Sequence, residues 1–280
     1  MSQPKHYVFH ANACGVAARI RRPADLTLPA HGGVSLPLTG GVSEMNHGAV
    51  RWDEGRAPSE APYITFDAVH SRVHGDYEDT ARAVAMTRGE VPVETLAAAT
   101  RVHSEIANLQ VLGRVKVARA LMTLQARSAD GEPSIRCDGS TLEGVEVDGH
   151  PVRITLATAF FSGHDTLSGL GAAARAGHNR QCFFDAGPSA THGFIHPSGL
   201  GKATLVTGIE WEGRAHPDAA IEGHSIRIPD FGRVYFAELF VTAVSRRLTM
   251  LRFQLGSPVG GEICAASGDT NGSQWPPTGG

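Results

Sequence analysis

Residues 100–128, TRVHSEIANLQVLGRVKVARALMTLQARS, decide the fold of this chain. Apolar and polar side chains alternate with period two on both sides of Leu112-Gly113-Arg114, the pattern of two antiparallel strands joined by a turn. Strict alternation along the first arm gives one face with Val102, Ser104, Ile106 and Asn108, and another with Ala107, Leu109 and Val111. Along the second arm it gives one face with Ala118, Ala120, Met122, Leu124 and Ala126, and another with Val115, Val117, Arg119, Leu121, Thr123 and Gln125. The stretch therefore predicts a half-buried strand hairpin.

A helical hairpin is the alternative for residues 94–128. The first arm is rich in Ala, Leu and Glu, and Gly113 would then act as a C-terminal cap. The second arm carries Arg114, Lys116 and Arg119, which would surround a helix with charge but lie mostly on one side of a strand. Because the neighbouring segments also alternate, we predict strands.

Composition supports the same fold class. The chain has 280 residues, of which 41% are hydrophobic, and its 33 glycines and 16 prolines suit many turns between short strands. Net charge is −3 and there is no basic block, so nucleic acid is not an expected partner. No window is long and apolar enough to predict a membrane span.

Outside the central stretch, most segments also alternate or are bounded by turn residues. The clearest local signal is Asp148-Gly149 between two valine-rich arms, which predicts a tight hairpin. Residues 62–74 predict a strand that turns at 75–79 and returns through residues 81–87. One short helix is predicted from Asp165 to Ala176. Further strands are predicted at 6–20, 203–211, 233–243 and 248–255.

We therefore predict an all-β, mainly antiparallel fold, a β-sandwich or jelly-roll-like domain with at most one or two short helices. The domain spans residues 1–267, and residues 268–280, rich in Gly, Pro and Ser, form a flexible tail. An alternative division has two related halves, about 1–161 and 200–267, joined by the glycine-rich segment 162–202. A weak internal sequence similarity supports this division, because the same tripeptide occurs at Gly113-Arg114-Val115 and at Gly232-Arg233-Val234.

The four cysteines and the N-terminus bear on the compartment. Cys14, Cys137, Cys182 and Cys264 are far apart and form no CxxC motif, which favours free buried thiols over a zinc ribbon or a redox pair. The first residues show no classical signal peptide. The sequence leaves the location unknown, between the cytoplasm and export by a non-classical route.

Three stretches resemble bacterial β-sandwich proteins of the choice-of-anchor type. They are Ser35-Leu36-Pro37 through Gly40-Gly41, the strand pair VLGRVKV at Val111–Val117, and GSTLEGVEVDGHPVRITL at Gly139–Leu156. Together they cover about half of the chain. The resemblance implies a sandwich with a non-catalytic role and carries over no site residues. Members of that group carry an export leader and an anchor, whereas this sequence shows neither pattern.

Fourteen histidines raise the question of a metal site. His70 and His74 lie four residues apart on one strand, which separates them by about 13 Å, too far to share one ion. His192 and His196 have the same spacing beside Gly193 and Pro197, which permit a turn, so they are the candidate ligands for Zn or Fe. The motifs HxH, HExxH, GxSxG at a nucleophile elbow, and the nucleotide-binding glycine loops are absent.

The function predicted from these observations is that of a non-enzymatic structural or interaction protein of bacterial origin that requires no cofactor. Its expected partner is a second copy or another protein, joined through open sheet edges and extended termini such as residues 6–20. The alternative is a metal- or ligand-binding enzyme that uses residues 162–202 as a site wall or lid. A carbohydrate-binding sandwich is a third possibility, but only Trp52, Trp211 and Trp275 could supply an aromatic platform.

Overall fold

Two large antiparallel sheets form the described part of the computed structural model, which covers residues 6–91, 96–129, 132–184, 194–196 and 198–275. The first sheet contains β1 (His6–Arg22), β2 (Leu26–His31), β3 (Val34–Ser35), β13 (Gly201–Thr204), β15 (Ala220–Glu222), β16 (Ser225–Ile228), β17 (Gly232–Val241), β18 (Ser245–Leu255) and β19 (Gly260–Trp275). The second contains β4 (Gly41–His47), β5 (Val50–Trp52), β6 (Ile64–Phe66), β7 (Ala68–Tyr77), β8 (Ala98–Val111), β9 (Val115–Ser128), β10 (Ser134–Arg136), β11 (Thr141–Val147), β12 (His150–Leu156) and β14 (Val206–Trp211).

The two sheets pack face to face around a shared apolar core. Strands β1 and β19 of the first sheet lie against β8 and β9 of the second. Buried side chains from both sheets belong to one continuous hydrophobic cluster. A hydrogen bond between the buried hydroxyls of Thr100 and Thr270 also joins the sheets inside the core. The predicted all-β antiparallel sandwich is therefore confirmed.

The central hairpin is confirmed as β8 and β9, which pair antiparallel from Ala98 and Ser128 up to Val111 and Val115. The alternation of buried and outward residues along both strands is the period-two pattern that favoured strands over helices. The tight hairpin predicted at Asp148-Gly149 is also present, as the connection between β11 and β12.

The predicted faces of this hairpin are wrong beyond Asn108, because the alternation changes phase there. Asn108 has a φ of 52°, and the ladder skips its pairing with Ala118. As a result Leu109 and Val111 are buried on the same side as Val102 and Ile106. The same change affects the partner strand, whose buried residues are Val115, Val117, Ala120, Met122, Leu124 and Ala126. The kink keeps apolar side chains in the core along the whole hairpin.

This left-handed residue gives a direct test. Replacing Asn108 with Val is expected to lower the free energy of unfolding by about 1–2 kcal/mol, because a β-branched residue is strained at this φ. The variant also loses the hydrogen bond that the Asn108 amide donates to Asp67 at 2.7 Å. Asn108→Gly is the control, since it lacks that bond too but adopts the backbone without strain. Equal urea midpoints for the two variants would contradict a conformational cause.

The first and last strands lie side by side in the first sheet. Strand β1 pairs with β19 along its length, from His6 opposite Trp275 to Arg22 opposite Gly260. Residues 268–275, where the sequence predicts a flexible tail, belong to strand β19, and their backbone groups pair with β1. Residues 276–280 lie outside the described residues. The first sheet combines strands from 1–161 and 200–267, and the division into two related halves stays a prediction.

Three short α-helices lie outside the sheets in the described residues, one more than predicted: α1 (Thr80–Thr87), α2 (Thr158–Gly163) and α3 (Leu167–Arg175). The third confirms the helix predicted from Asp165 to Ala176, although the hydroxyl of Thr166 caps it by accepting from the Gly169 amide. The predicted return strand at 81–87 is wrong, because Asp79 caps α1 by accepting from the Arg82 amide. No helix of the described residues has the length and apolarity to cross a membrane.

All four cysteines are unpaired, as the sequence predicts. Cys137 and Cys182 are buried, and burial raises the pKa of each thiol to about 11. Cys14 and Cys264 are half-buried, and burial raises the pKa of both. The thiols are therefore protonated near neutral pH and are poor nucleophiles there.

Candidate functional site

The candidate site lies on the outer face of the second sheet, where β7 and β8 pair. Alternate residues of β7 fill the core, so His70, Arg72 and His74 point outward. On β8 the same alternation turns Arg101, His103 and Glu105 outward. The register sets His70 opposite Glu105, Arg72 opposite His103 and His74 opposite Arg101. Six polar side chains therefore form two adjacent rows across two strands.

Three of these side chains bring metal-ligating atoms together. One ligand atom from each of His70, His103 and Glu105 lies within 4.8 Å of the other two. The rings of His70 and His103 have centroids 5.0 Å apart, and His103 Nε2 is 3.6 Å from Glu105 Oε2. A tetrahedral zinc ion with ligands at about 2.0–2.2 Å would draw the three atoms closer together.

The neighbouring groups hold two of the three ligands in place. Arg119 Nε donates a hydrogen bond to Glu105 Oε1 at 2.6 Å, which leaves the other carboxylate oxygen directed at His103. His70 Nε2 lies 3.1 Å from Glu44 Oε1 on the edge strand β4. His103 Nε2, by contrast, is buried and has no hydrogen-bond partner within the described part of the chain. A buried ring nitrogen without a partner is costly unless it binds something.

The local electrostatics favour the protonation states in which His103 and Glu105 can bind a metal ion. Burial lowers the pKa of His103 below its ordinary value, and the neighbouring His70 lowers it further. The hydrogen bond from Arg119 lowers the pKa of Glu105. Near neutral pH the site therefore offers a neutral imidazole and a carboxylate, which are the protonation states that bind metal ions.

An open depression of about 440 Å³ is lined by two of the three ligands, His70 and His103. It runs over the outer surface of β7, β8 and β9, and its polar lining comes from His70, Arg72, His74, Arg101, His103, Thr123 and Gln125. The two arginines make its far end basic. The depression opens to solvent on its outer side, so a bound ion would keep access to external ligands.

The predicted metal pair falls in a different region. His196 is exposed, and its Nδ1 lies 3.0 Å from the hydroxyl of Ser198. His192 lies outside the described residues, so the pairing of these two histidines stays a prediction. Segment 162–202, predicted as a wall or lid, contains α3 and two isolated bridges, Phe183 with Ala203 and Ile195 with Gly201. These described parts of the segment do not line the depression beside His103.

Sequence reasoning considered His70 with His74 and missed His103 and Glu105. The distance argument against the first pair is consistent with the structure, where His74 lies outside the three-ligand cluster. The usable signal was His103-Ser104-Glu105, because residues two apart on a strand share a face. Linking them to His70 also requires the register between β7 and β8, which the sequence alone did not give.

A second cluster of charges serves a structural role. Burial would raise the pKa of Glu238, but hydrogen bonds from Arg252 and His224 lower it to about 2. Arg252 donates to both carboxylate oxygens, at 2.5 and 2.8 Å, and lies 3.8 Å from the ring centroid of Tyr235. Phe184 packs on the His224 ring at 4.7 Å between centroids. These groups satisfy one another, which leaves the cluster without a free ligand atom comparable to His103 Nε2.

Comparison with known proteins gives a family but no activity. A family model described as "Domain of unknown function (DUF8256)" matches residues 7–174 and 178–242 of this chain, which is most of its length. No curated protein and no solved structure matches the chain.

Proposed function

Because this chain belongs to the family described as "Domain of unknown function (DUF8256)", we propose its function from the candidate site itself: the chain is a β-sandwich module that binds a zinc-class divalent ion on its outer face. The ligands are His70, His103 and Glu105. The observation that carries the proposal is that three ligand atoms lie within 4.8 Å of one another, while the buried Nε2 of His103 has no hydrogen-bond partner in the described residues. Two imidazoles and one carboxylate form a ligand set typical of zinc, with a fourth position open.

The openness of the site favours a binding role over catalysis. Metal-assisted catalysis depends on a shaped, water-excluded cavity in which charges act strongly. Here the ligands lie on the outer face of a sheet, beside a depression that opens to solvent. The resemblance to choice-of-anchor-type bacterial proteins also favours a non-catalytic role. We therefore place the ion in recognition or assembly rather than in a reaction.

Metal binding gives the test of this proposal. The purified chain is expected to bind one Zn²⁺ in isothermal titration calorimetry, and one Co²⁺ with a visible absorption band typical of nitrogen and oxygen ligands. His103→Ala is expected to weaken binding at least about tenfold, a loss of about 1.4 kcal/mol or more. Binding should also weaken as pH falls through the lowered pKa of His103, because a protonated imidazole cannot bind the ion.

Two further variants make the result specific. His178→Ala removes an exposed histidine near the end of α3 and is expected to leave the affinity unchanged. The double variant His192→Ala/His196→Ala tests the pair predicted from sequence. Loss of the ion in that double variant, or its retention in His70→Ala/His103→Ala, would refute the assignment.

Self-association through a sheet edge is a second candidate function, favoured by strand β4. In the described residues β4 pairs only with β7, so its other side presents unpaired backbone groups. Val42 and Met45 on β4 are 50% and 44% exposed, and Leu38 just before it is 66% exposed. The segment 6–20, predicted to reach a neighbouring copy, is instead paired with β19, β2 and β3 of its own chain.

Light scattering after size exclusion tests this second function. The wild-type chain is expected to form a dimer or larger species at high micromolar concentration. Val42→Lys/Met45→Lys is expected to be monomeric, because charged residues on an edge strand block strand addition. Val244→Lys changes a similarly exposed apolar residue outside β4 and should associate like the wild type. A monomeric wild type would exclude edge pairing.

A further inference from the structure

The depression beside the three ligands has an uneven charge distribution. At its His70 end the acids are already paired: Glu105 accepts from Arg119, and Glu44 lies 3.7 Å from Arg72 and 3.1 Å from His70. Arg101 lies at the other end and has no carboxylate partner within 4.0 Å in the described part of the chain. One guanidinium is therefore free to bind an external anion.

The register sets the spacing along β8 between this arginine and the metal ligand His103. Arg101 is two residues from His103 on the same face of β8, a separation of about 7 Å between α-carbons. His74 lies opposite Arg101 on β7, and Gln125 lies opposite it on β9. Both side chains line the same depression and could donate hydrogen bonds beside the guanidinium.

A guanidinium on β8, next to the three ligands, suits one class of external ligand. A carboxylate or phosphate group can bind an ion through one oxygen and an arginine through another, which sets the ion and the guanidinium nitrogen at most about 7 Å apart, from a metal–oxygen bond of ~2.0 Å, an oxygen–oxygen separation of ~2.5 Å and a hydrogen bond of ~2.8 Å. Arginine is the residue best suited to hold such groups, because its planar fork pairs with two oxygens.

We propose that the depression binds a small oxyanion, a carboxylate or phosphate group, whose first oxygen takes the open position on the ion and whose second oxygen is held by Arg101. This inference rests on the proposed metal site and names the ligand class that the site takes. Arg72, His74 and Gln125 complete the polar wall around the anion. The ion and the arginine act together, so each is expected to strengthen binding at the other.

Titration of the cobalt-loaded chain tests the inference. Adding inorganic phosphate or acetate is expected to shift the visible Co²⁺ band in a saturable way, and the anion that shifts it identifies the preferred class. Arg101→Gln is expected to weaken this response about tenfold. Arg136→Gln is the matched control: Arg136 lies on β10 and is already paired with Asp138 at 2.8 Å, so the response should stay unchanged.

The possible failures are distinguishable. If the wild-type chain binds no Co²⁺, the metal site itself is refuted, and the oxyanion inference fails with it. If Co²⁺ binds but neither anion shifts its band, the oxyanion inference fails while the metal site stands. An anion response that is equally strong in Arg101→Gln also refutes the assignment of Arg101.

Discussion

Replacing Arg246 with Met is expected to lower the free energy of unfolding by about 3–5 kcal/mol, because the carbonyl oxygens around its guanidinium, which are buried or partly buried, would each lose a hydrogen-bond donor. Arg246 lies on β18 and is only 3% exposed. Burial lowers the pKa of its guanidinium to about 10, so the group is still protonated at neutral pH. A buried charge of this kind needs a full set of partners.

Backbone carbonyls provide those partners. Arg246 Nη1 donates to Ile135 O at 2.6 Å and Nη2 donates to Asp165 O at 2.7 Å. Longer contacts join the guanidinium to the carbonyls of Phe161, His164 and Thr166, at 3.5, 3.2 and 3.4 Å. One side chain of the first sheet thus binds strand β10 and the connection between α2 and α3. Methionine matches its length but donates no hydrogen bond.

Urea unfolding measures this loss from the change in midpoint, provided that the slope of the unfolding free energy against urea concentration stays the same. Arg247→Met is the matched control, since Arg247 is the next residue on β18 and is exposed. Arg246→Lys is expected to fall between wild type and Arg246→Met, because one ammonium keeps the charge but reaches fewer carbonyls. A loss below about 1 kcal/mol for Arg246→Met would show that water replaces the missing donor.

How well the sequence predicts each structural feature depends on how far apart in the chain the interacting residues lie. Local alternation of apolar and polar residues predicted β8 and β9, because both their burial and their turn depend on neighbours in the chain. It could not predict the kink at Asn108, because a positive φ at a single asparagine leaves the sequence pattern ambiguous. Residues 81–87 are a second case: they are predicted as a strand but form part of helix α1, whose N-terminus is capped by Asp79.

The candidate site was harder to predict because its members meet through sheet register. His103 and Glu105 are two residues apart, but His70 joins them from a strand more than thirty residues earlier. Nothing local in the sequence fixes which residues of β7 face which residues of β8. The spacing of His192 and His196 can be seen in the sequence itself, whereas the cluster of His70, His103 and Glu105 depends on how β7 pairs with β8.

Replacing Gly268 with Val is expected to cost about 3 kcal/mol or more, because the added side chain would enter the contact between the two sheets. Gly268 lies on β19, between Ala13 of β1 and Leu248 of β18. A β-carbon at this position would be 2.8 Å from both Asn12 O and Val102 Cγ1, and closer still to Met122 Cε. The backbone oxygen cannot move aside without disturbing the pairing of β1 with β19.

A double-mutant cycle separates this steric cause from a general effect of the substitution. Gly268→Ala alone is expected to cost about 1–3 kcal/mol, and Met122→Ala alone about 2–5 kcal/mol from the cavity that it leaves. In the double variant the new methyl group occupies part of that cavity, so the combined loss should be smaller than the sum by about 1 kcal/mol or more. Gly48→Ala is the control, because a β-carbon there would meet nothing within 4 Å. Additive losses would assign the conflict to Asn12 O and Val102 Cγ1 instead of Met122, because removing the Met122 side chain relieves neither of those contacts.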